Sequence, residues 1–436
     1  MTVAERLSAA PALGAGSLPR LLAGARPDGR PLALREHLDR HGALPVQRGG
    51  QLIDLVESSG LRGRGGASFP TGRKLRAVAD SRRRPVVLAN GTEGEPICGK
   101  DKILLRHAPH LVLDGAVLAA AAVGAQEAII AVGSHARGEV EIVQAALAER
   151  SARRLDPVLL RLATVPQGFV SGEETAVVSW LNGGPAKPTF TPPRPFERGV
   201  GGAPTLVQNV ETLANVALIA RYGADWFRGL GSDEEPGTAL VTVGGAVRRP
   251  GIYEIPLGLP LAELVEWAGG LSAPVSSFLI GGYFGTWVGA ADALRLALLD
   301  SDLAGVGASL GARGIFAFPE AACGIFETAR VARYLAGESA GQCGPCVHGL
   351  DAIAGALERL AWGKRRDTRD RARVLRWAAQ VDGRGACRHP DGAARFVTSA
   401  LSVFGGELER HLRGRCSGER QPLLPIGQEP RRRTGR

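Results

Sequence analysis

The chain is 436 residues long, 44% hydrophobic, 22% charged and 5% aromatic, a composition that fits a folded protein of two or three domains and excludes a disordered, collagenous or disulfide-stapled one. Its formal charge of +10 is concentrated at one end, where eight arginines between residues 410 and 436 face only Glu419 and Glu429, so the excess reads as a solvated tail and not as a stripe for nucleic acid. No apolar run approaches a membrane span, since the stretch 111–133 contains Asp114, Gln126 and Glu127, and the N-terminus lacks a secretory pattern.

A cytoplasmic location is therefore expected, where clustered cysteines mark metal or redox chemistry before disulfides. Along the chain, residues 1–50 read as an Arg/Pro/Gly-rich arm with one helix near 34–41. From 51 the pattern alternates: a helix over 52–58, a glycine-rich loop over 60–72, a strand over 85–89, a long helix over 102–123, a strand over 128–132, a helix over 137–150 and a strand over 160–165. Strands alternating with helices predict an α/β layer with a largely parallel sheet. After a polar loop at 233–237 the style changes to short strands around an Arg249-Pro250-Gly251 turn with one helix over 261–268, a small β-rich, grasp-like module. Beyond Phe318-Pro319, amphipathic stretches at 320–336, 347–361, 367–380 and 391–404 predict a helical bundle.

Four segments carry chemistry. The loop Gly60 to Lys74 offers unobstructed backbone N–H groups beside Arg62, Arg64, Arg73 and Lys74, which suits a phosphate, although Ser68 breaks the dinucleotide fingerprint and a simple turn is the competing reading. Asn90, Glu93 and Glu95 follow a strand, where polar groups can meet a ring edge or ribose. Gly172, Glu173 and Glu174 fall at a helix start, where a carboxylate can equally be a cap. Cys343-Gly-Pro-Cys346 with Cys387 lacks the strand of a thioredoxin-type pair, so a metal or iron–sulfur site is expected, with His348 or His389 as a further donor in a zinc reading. Purely structural cysteines are the alternative.

In this order the segments resemble the 51 kDa-type flavoprotein subunit of NADH:quinone oxidoreductase, respiratory complex I, and its relatives in NAD-linked hydrogenases and formate dehydrogenases. The resemblance covers roughly 51–415 and is carried by GLRGRGGxxFPTGxK, NxxEGEPxxxKD, GEETA, NVETLA at 209–214, RPGxYE at 249–254 and ESxGxCxPC at 338–346. It implies a Rossmann-like FMN- and NAD-binding α/β domain over 51–235, an SLBB β-grasp domain over 236–318, an iron–sulfur-binding helical bundle over 319–415, and a basic disordered tail over 416–436. It implies FMN contacts from Gly63, Arg64, Gly65, Lys74, Asn90, Glu93, Gly172, Glu173 and Asn209, with Gly66 and Gln208 also among the cofactor-binding residues. Glu95 and Glu174 would face the nicotinamide nucleotide, and Phe69 would stack on it. Cys343, Cys346 and Cys387 would hold the cluster. No side chain acts as catalyst, because the flavin carries the chemistry.

The chain departs from the family pattern at Thr92 for Asp, Phe169 for Tyr and Gln208 for Asn. Ala77 and Arg194 stand where the family sandwiches adenine between aromatics, and Ala340 replaces the first cluster cysteine. The implied activity is hydride transfer from NADH to FMN, then single-electron transfer through a [4Fe-4S]-type cluster, with a [3Fe-4S] form or a non-cysteine fourth ligand as variants. The expected acceptor is a ferredoxin-like or thioredoxin-like [2Fe-2S] partner, or a quinone-linked membrane redox complex holding the protein at the inner face of the plasma membrane. The alternatives are a flavoprotein fed by ferredoxin or another donor, and a non-catalytic SLBB/zinc scaffold.

Overall fold

The structure is a computed structural model that describes residues 18–26, 28–45, 49–362, 367–416 and 418–426. The head of the expected arm and residues 427–436 of the expected disordered tail lie outside the described residues.

Four strands, β1 (Val86–Gly91), β2 (Glu127–Gly133), β3 (Leu159–Val165) and β4 (Thr205–Asn209), form a parallel sheet in the order β3-β2-β1-β4. The central strands are short runs of β-branched and small residues, buried along most of their length, as a sheet covered on both faces requires. From β1 the chain moves outward to β2 and β3, then returns to lay β4 on the other flank of β1. The strand order thus reverses between β1 and β4, where Asn90 and Asn209 pair at the carboxyl ends. In open parallel sheets the crevice at such a reversal is the ligand site.

The helix expected over 102–123 is two helices, Lys100–His107 and Pro109–Val123, meeting at 97°. Pro109 cannot donate into a continuous helix and instead opens the second one. That second helix is buried almost all round, and its one acidic residue, Asp114, pairs with Arg150 and Arg221 and lies within hydrogen-bond distance of His37. No single described helix is long and apolar enough to cross a membrane.

A second sheet contains β5 (Thr238–Gly245), β6 (Gly251–Pro256), β7 (Val275–Ile280), β8 (Thr286–Gly289) and β9 (Gly314–Pro319) in the order β6-β5-β9-β7-β8. Its β5 and β9 are parallel and its other neighbours antiparallel, with the helix Leu261–Trp267 between β6 and β7. Beyond it, helices Gly324–Gly337, Asp351–Trp362, Asp370–Val381 and His389–Val403 share one apolar core. A fifth, Gly405–Leu412, continues the last predicted stretch after a break at Phe404.

The tail expected to be disordered from 416 needs correction over 418–426, and the arm, which has its expected helix at Leu34–His41, is held in place as well. The arm is docked: the N–H groups of Arg20, Leu21 and Leu22 all donate to the Glu254 carboxylate, and Leu21 and Leu22 enter the α/β core. The start of the tail is ordered too, because the N–H groups of Leu423 and Leu424 donate to Glu327 and Leu424 is buried. Composition misses this, since one buried leucine and one acceptor outweigh the surrounding arginines.

Candidate functional site

Three loops meet over the reversal between β1 and β4. The first, after the helix Gly49–Ser59, closes on itself through Gly63 N–H to the Phe69 carbonyl at 2.8 Å. A Cβ on Gly65 would stand 3.2 Å from the Asn209 Cβ, so the loop lies directly against the end of β4. Gly66 has φ +95°, a left-handed turn that glycine adopts without strain. The second loop follows β1, and the third precedes the helix Glu174–Leu181. These two touch backbone to backbone: a Cβ on Gly94 would meet the carbonyl oxygens of Phe169 and Gly168 at 2.7 and 2.8 Å. Asn90 Nδ2 donates to the Gly172 carbonyl at 2.9 Å and ties β1 to the third loop.

The polar groups divide by task. The Arg64 guanidinium donates to the carbonyls of Thr238, Pro236 and Arg62, so it pins the first loop to β5 from a fully buried position. Burial, with Arg313 nearby, lowers its pKa to about 10. Lys74 pairs with Glu174 at 3.1 Å. Phe69 is half exposed beside Arg73. Glu173 caps the helix Glu174–Leu181 by accepting from Thr175 and Ala176 N–H, so the capping reading is realised at this position. Asn209 likewise caps the helix Val210–Tyr222 through Glu211 N–H and donates to Asp101 at 2.7 Å.

Glu93 and Glu95 are buried at the mouth of this crevice. Desolvation, then the neighbouring Asp101, pushes Glu93 up to about 7, although the Asp101 N–H reaches it. Desolvation, helped by the Glu93 charge, outweighs two backbone donors at Glu95 and pushes it up to about 8. Its Oε2 accepts from Tyr283 N–H at 2.8 Å, but its Oε1 has no hydrogen-bond partner among the described residues. The Gln208 Nε2 is buried and unpartnered as well. Buried polar atoms left unsatisfied at a strand-end crevice are what a polar ring edge or ribose would satisfy. With glycine backbones that admit close approach, they fit a flavin nucleotide.

Beneath the crevice lies a charge network absent from the sequence-based site. Lys100 is buried between Asp101 at 2.6 Å and Glu211 at 2.9 Å, and Glu211 also accepts from Leu240 N–H. Arg313, on the turn before β9, donates to the Arg64 carbonyl. Lys100 and Asp101 stand inside NxxEGEPxxxKD and are legible there; Arg313 lies in no motif.

The cysteine stretch approaches from the helices. Glu338 accepts from Phe169 N–H at 2.7 Å, and Lys187 donates to the Ala340 carbonyl at 2.7 Å, so the stretch is latched to the third loop. Cys343 and Cys346 flank the start of a π-helical turn, Pro345–Leu350. Burial, then Cys343, then Cys387, pushes the Cys346 thiol up to about 12, against the Ser339 hydroxyl that donates to it. Burial raises Cys387 too, and its neighbours include Glu173 and Cys343. Three converging thiols, two of them raised by burial and by their neighbours, are the donor set that a cationic iron–sulfur centre relieves. His389 directs Nε2 to the Leu335 carbonyl at 2.7 Å, which leaves a buried Nδ1 without a hydrogen-bond partner among the described residues, whereas His348 is exposed.

Ala77 and Arg194 are both exposed. Cys416 lies with Cys323 at the far end of the helix Gly324–Gly337. At 1.5 Å per residue that helix separates it from Cys343 by roughly 20 Å.

Together these observations define an α/β protein with a nucleotide-type crevice latched to a cysteine-bearing helical region. Family models agree, segment by segment: residues 56–218 match the Nuo51 FMN-binding domain, 240–280 the SLBB domain, and 327–411 the NADH-ubiquinone oxidoreductase-F iron-sulfur binding region. The chain is 33% identical over 410 residues to an F subunit of the NADH-quinone oxidoreductase of Rhizobium meliloti, the form numbered 2, covering 89% of this chain and 96% of that protein. It is 35% identical over 379 residues to the NADH-quinone oxidoreductase F subunit of Streptomyces coelicolor, covering 84% and 83%. Among solved structures, an NAD+-reducing [NiFe]-hydrogenase in the H2-reduced state superposes with a TM-score of 0.78 at 28% identity, over 92% of this chain and 68% of that one. The chain belongs to the family of NADH-quinone oxidoreductase F subunits.

Proposed function

We propose that this protein is an FMN- and iron–sulfur-dependent electron-transfer oxidoreductase that accepts reducing equivalents from NADH. The observation that carries the proposal is the junction of the two regions: Glu338, inside the cysteine stretch, holds the Phe169 N–H of the loop that packs on Gly94 and precedes Gly172. The chemistry FMN supplies when bound is the conversion of a two-electron hydride donor into single electrons, which an iron–sulfur cluster relays.

The residues of this chain position and exclude. The backbone of Gly63, Gly65 and Gly66 with Lys74 would hold the phosphate, and Asn90, Glu93, Gln208, Gly172, Glu173 and Asn209 would frame the flavin, with Arg64 as a positioning residue. Glu95, Glu174 and Phe69 would meet the nicotinamide nucleotide. Cys343, Cys346 and Cys387 would bind the cluster, with a donor other than cysteine where Ala340 stands. We divide the chain at 51–235, 236–318 and 319–415, a reading that the separate sheets and the helical core support. The second sheet, with its parallel central pair and single helix, fits a β-grasp SLBB module, and the helices fit the iron–sulfur bundle.

The names of the relatives make a redox complex the natural setting, with a ferredoxin-like or thioredoxin-like [2Fe-2S] protein as acceptor and a cytoplasmic position peripheral to the membrane. Protein purified without oxygen should contain flavin, iron and sulfide, and NADH should bleach its flavin band. Bound flavin that ignores NADH would overturn NADH as donor.

A further inference from the structure

A second group of metal-ligating side chains sits at the opposite end of the helix Gly324–Gly337 from Cys343, and the flavin reading makes no use of it. Cys323 caps that helix and is fully buried. Glu407 and His411 are four residues apart on the helix Gly405–Leu412, hence on one face. Cys416 follows on the segment leaving that helix. One ligand atom from each of the four lies within 4.8 Å of the other three. The Cys323 Sγ is 3.3 Å from His411 Nε2, which is 3.6 Å from Glu407 Oε1. A tetrahedral ion with bonds of about 2.0–2.3 Å sets its ligand atoms roughly 3.5 Å apart.

The surroundings orient these atoms as metal sites do. His411 Nδ1 lies 3.0 Å from the Leu360 carbonyl, a bond it can make only by donating, so the neutral ring carries its proton on Nδ1 and offers Nε2 to a metal. Glu407 Oε2 accepts from Gly324 N–H at 3.1 Å, while its buried Oε1 has no hydrogen-bond partner among the described residues. Phe326 N–H donates to the Cys323 sulfur at 3.3 Å. Two sulfurs, an imidazole and a carboxylate suit zinc, and four protein ligands leave no open position for substrate.

We propose that Cys323, Glu407, His411 and Cys416 form a structural zinc(II) site, distinct from the iron–sulfur cysteines, that clips the C-terminal segment onto the helical region. Binding releases the two thiol protons to solvent and leaves the zinc–dithiolate–carboxylate unit at one net negative charge, beside Arg420, which reaches Cys416. The clipped segment is already threaded into place. Glu419 trades backbone hydrogen bonds with Ala321 and Cys323, and Pro425 accepts from the Tyr283 hydroxyl. Tyr283 in turn gives its backbone N–H to Glu95, so hydrogen bonds that use none of the four ligand atoms link the segment to the crevice.

The test is elemental analysis and native mass spectrometry of the full chain expressed with added zinc(II) and purified without oxygen. One zinc per chain is expected beside the flavin and iron. Cys416→Ser, at a partly exposed position, and His411→Gln should each lower zinc at least tenfold with iron and flavin content unchanged. In the wild type, chelation should make the segment around 416–426 newly sensitive to protease. Wild-type protein without zinc, zinc retained in both variants, iron lost with the zinc, or a Cys323–Cys416 disulfide found by non-reducing peptide mapping would each overturn the site.

Discussion

Two groups of cysteines sit at the two ends of one helix, and they are built for different tasks. Cys343, Cys346 and Cys387 come from loops and a π-helical turn and lie beside the loop that contains Gly172 and Glu173. Cys323 and Cys416 meet an imidazole and a carboxylate, each already oriented by a backbone group. A group of three thiols next to a nucleotide crevice suits an electron carrier, whereas the mixed group suits an ion that never changes valence. Thiol content therefore says less than what the thiols face.

The sharpest way to break the comparison is to exchange sulfur for oxygen at each end. Cys346→Ser should remove most of the iron and slow NADH-driven reduction of a one-electron acceptor that takes electrons from the cluster roughly 100-fold, about 2.7 kcal/mol, while flavin stays bound. Cys416→Ser should leave that rate within about twofold. Iron content and stopped-flow reduction report both, and equal losses at the two ends would erase the distinction.

On the crevice side, Gly94→Val drives a side chain into the Phe169 and Gly168 carbonyls. Flavin affinity should fall about 10- to 100-fold, roughly 1.4–2.7 kcal/mol, with the iron content intact, as flavin fluorescence titration would read. A smaller effect is expected from Glu95→Gln in flavin-free protein. The folded state holds Glu95 protonated up to about pH 8, whereas the unfolded chain ionises it near its ordinary value. Its contribution to stability is therefore complete below about pH 4.5 and is lost as pH rises through 8. The variant should come close to wild type at pH 5 and clearly exceed it at pH 8, measured by denaturant unfolding at the two pH values. The smallest effect concerns the cluster itself: Ala340→Cys should add about one iron per chain, or harden the centre against oxygen, as iron analysis and paramagnetic resonance would show.

Legibility in the sequence follows the range over which a constraint acts. The glycine loop, the GEETA cap and the CGPC pair are local, and their spacing alone identifies them. The strands β1, β2 and β3 stand out as short apolar runs, but β4 hides in TLVQN, whose strand character comes from pairing with β1 across more than a hundred residues. The break at Pro109 is announced by the proline and the polar Arg106, His107 and His110 around it, whereas the apolar residues on either side read as one long helix. Arg313 and the partnership of Cys323 with His411 and Cys416 depend on tertiary packing, and no periodicity or motif announces them.

The most direct test is a single anaerobic titration of the purified, reconstituted protein with NADH, followed by visible absorption and low-temperature paramagnetic resonance. The account predicts bleaching of a bound flavin together with a reduced iron–sulfur signal that disappears in Cys346→Ser. A colourless protein with neither flavin nor iron after reconstitution would contradict it.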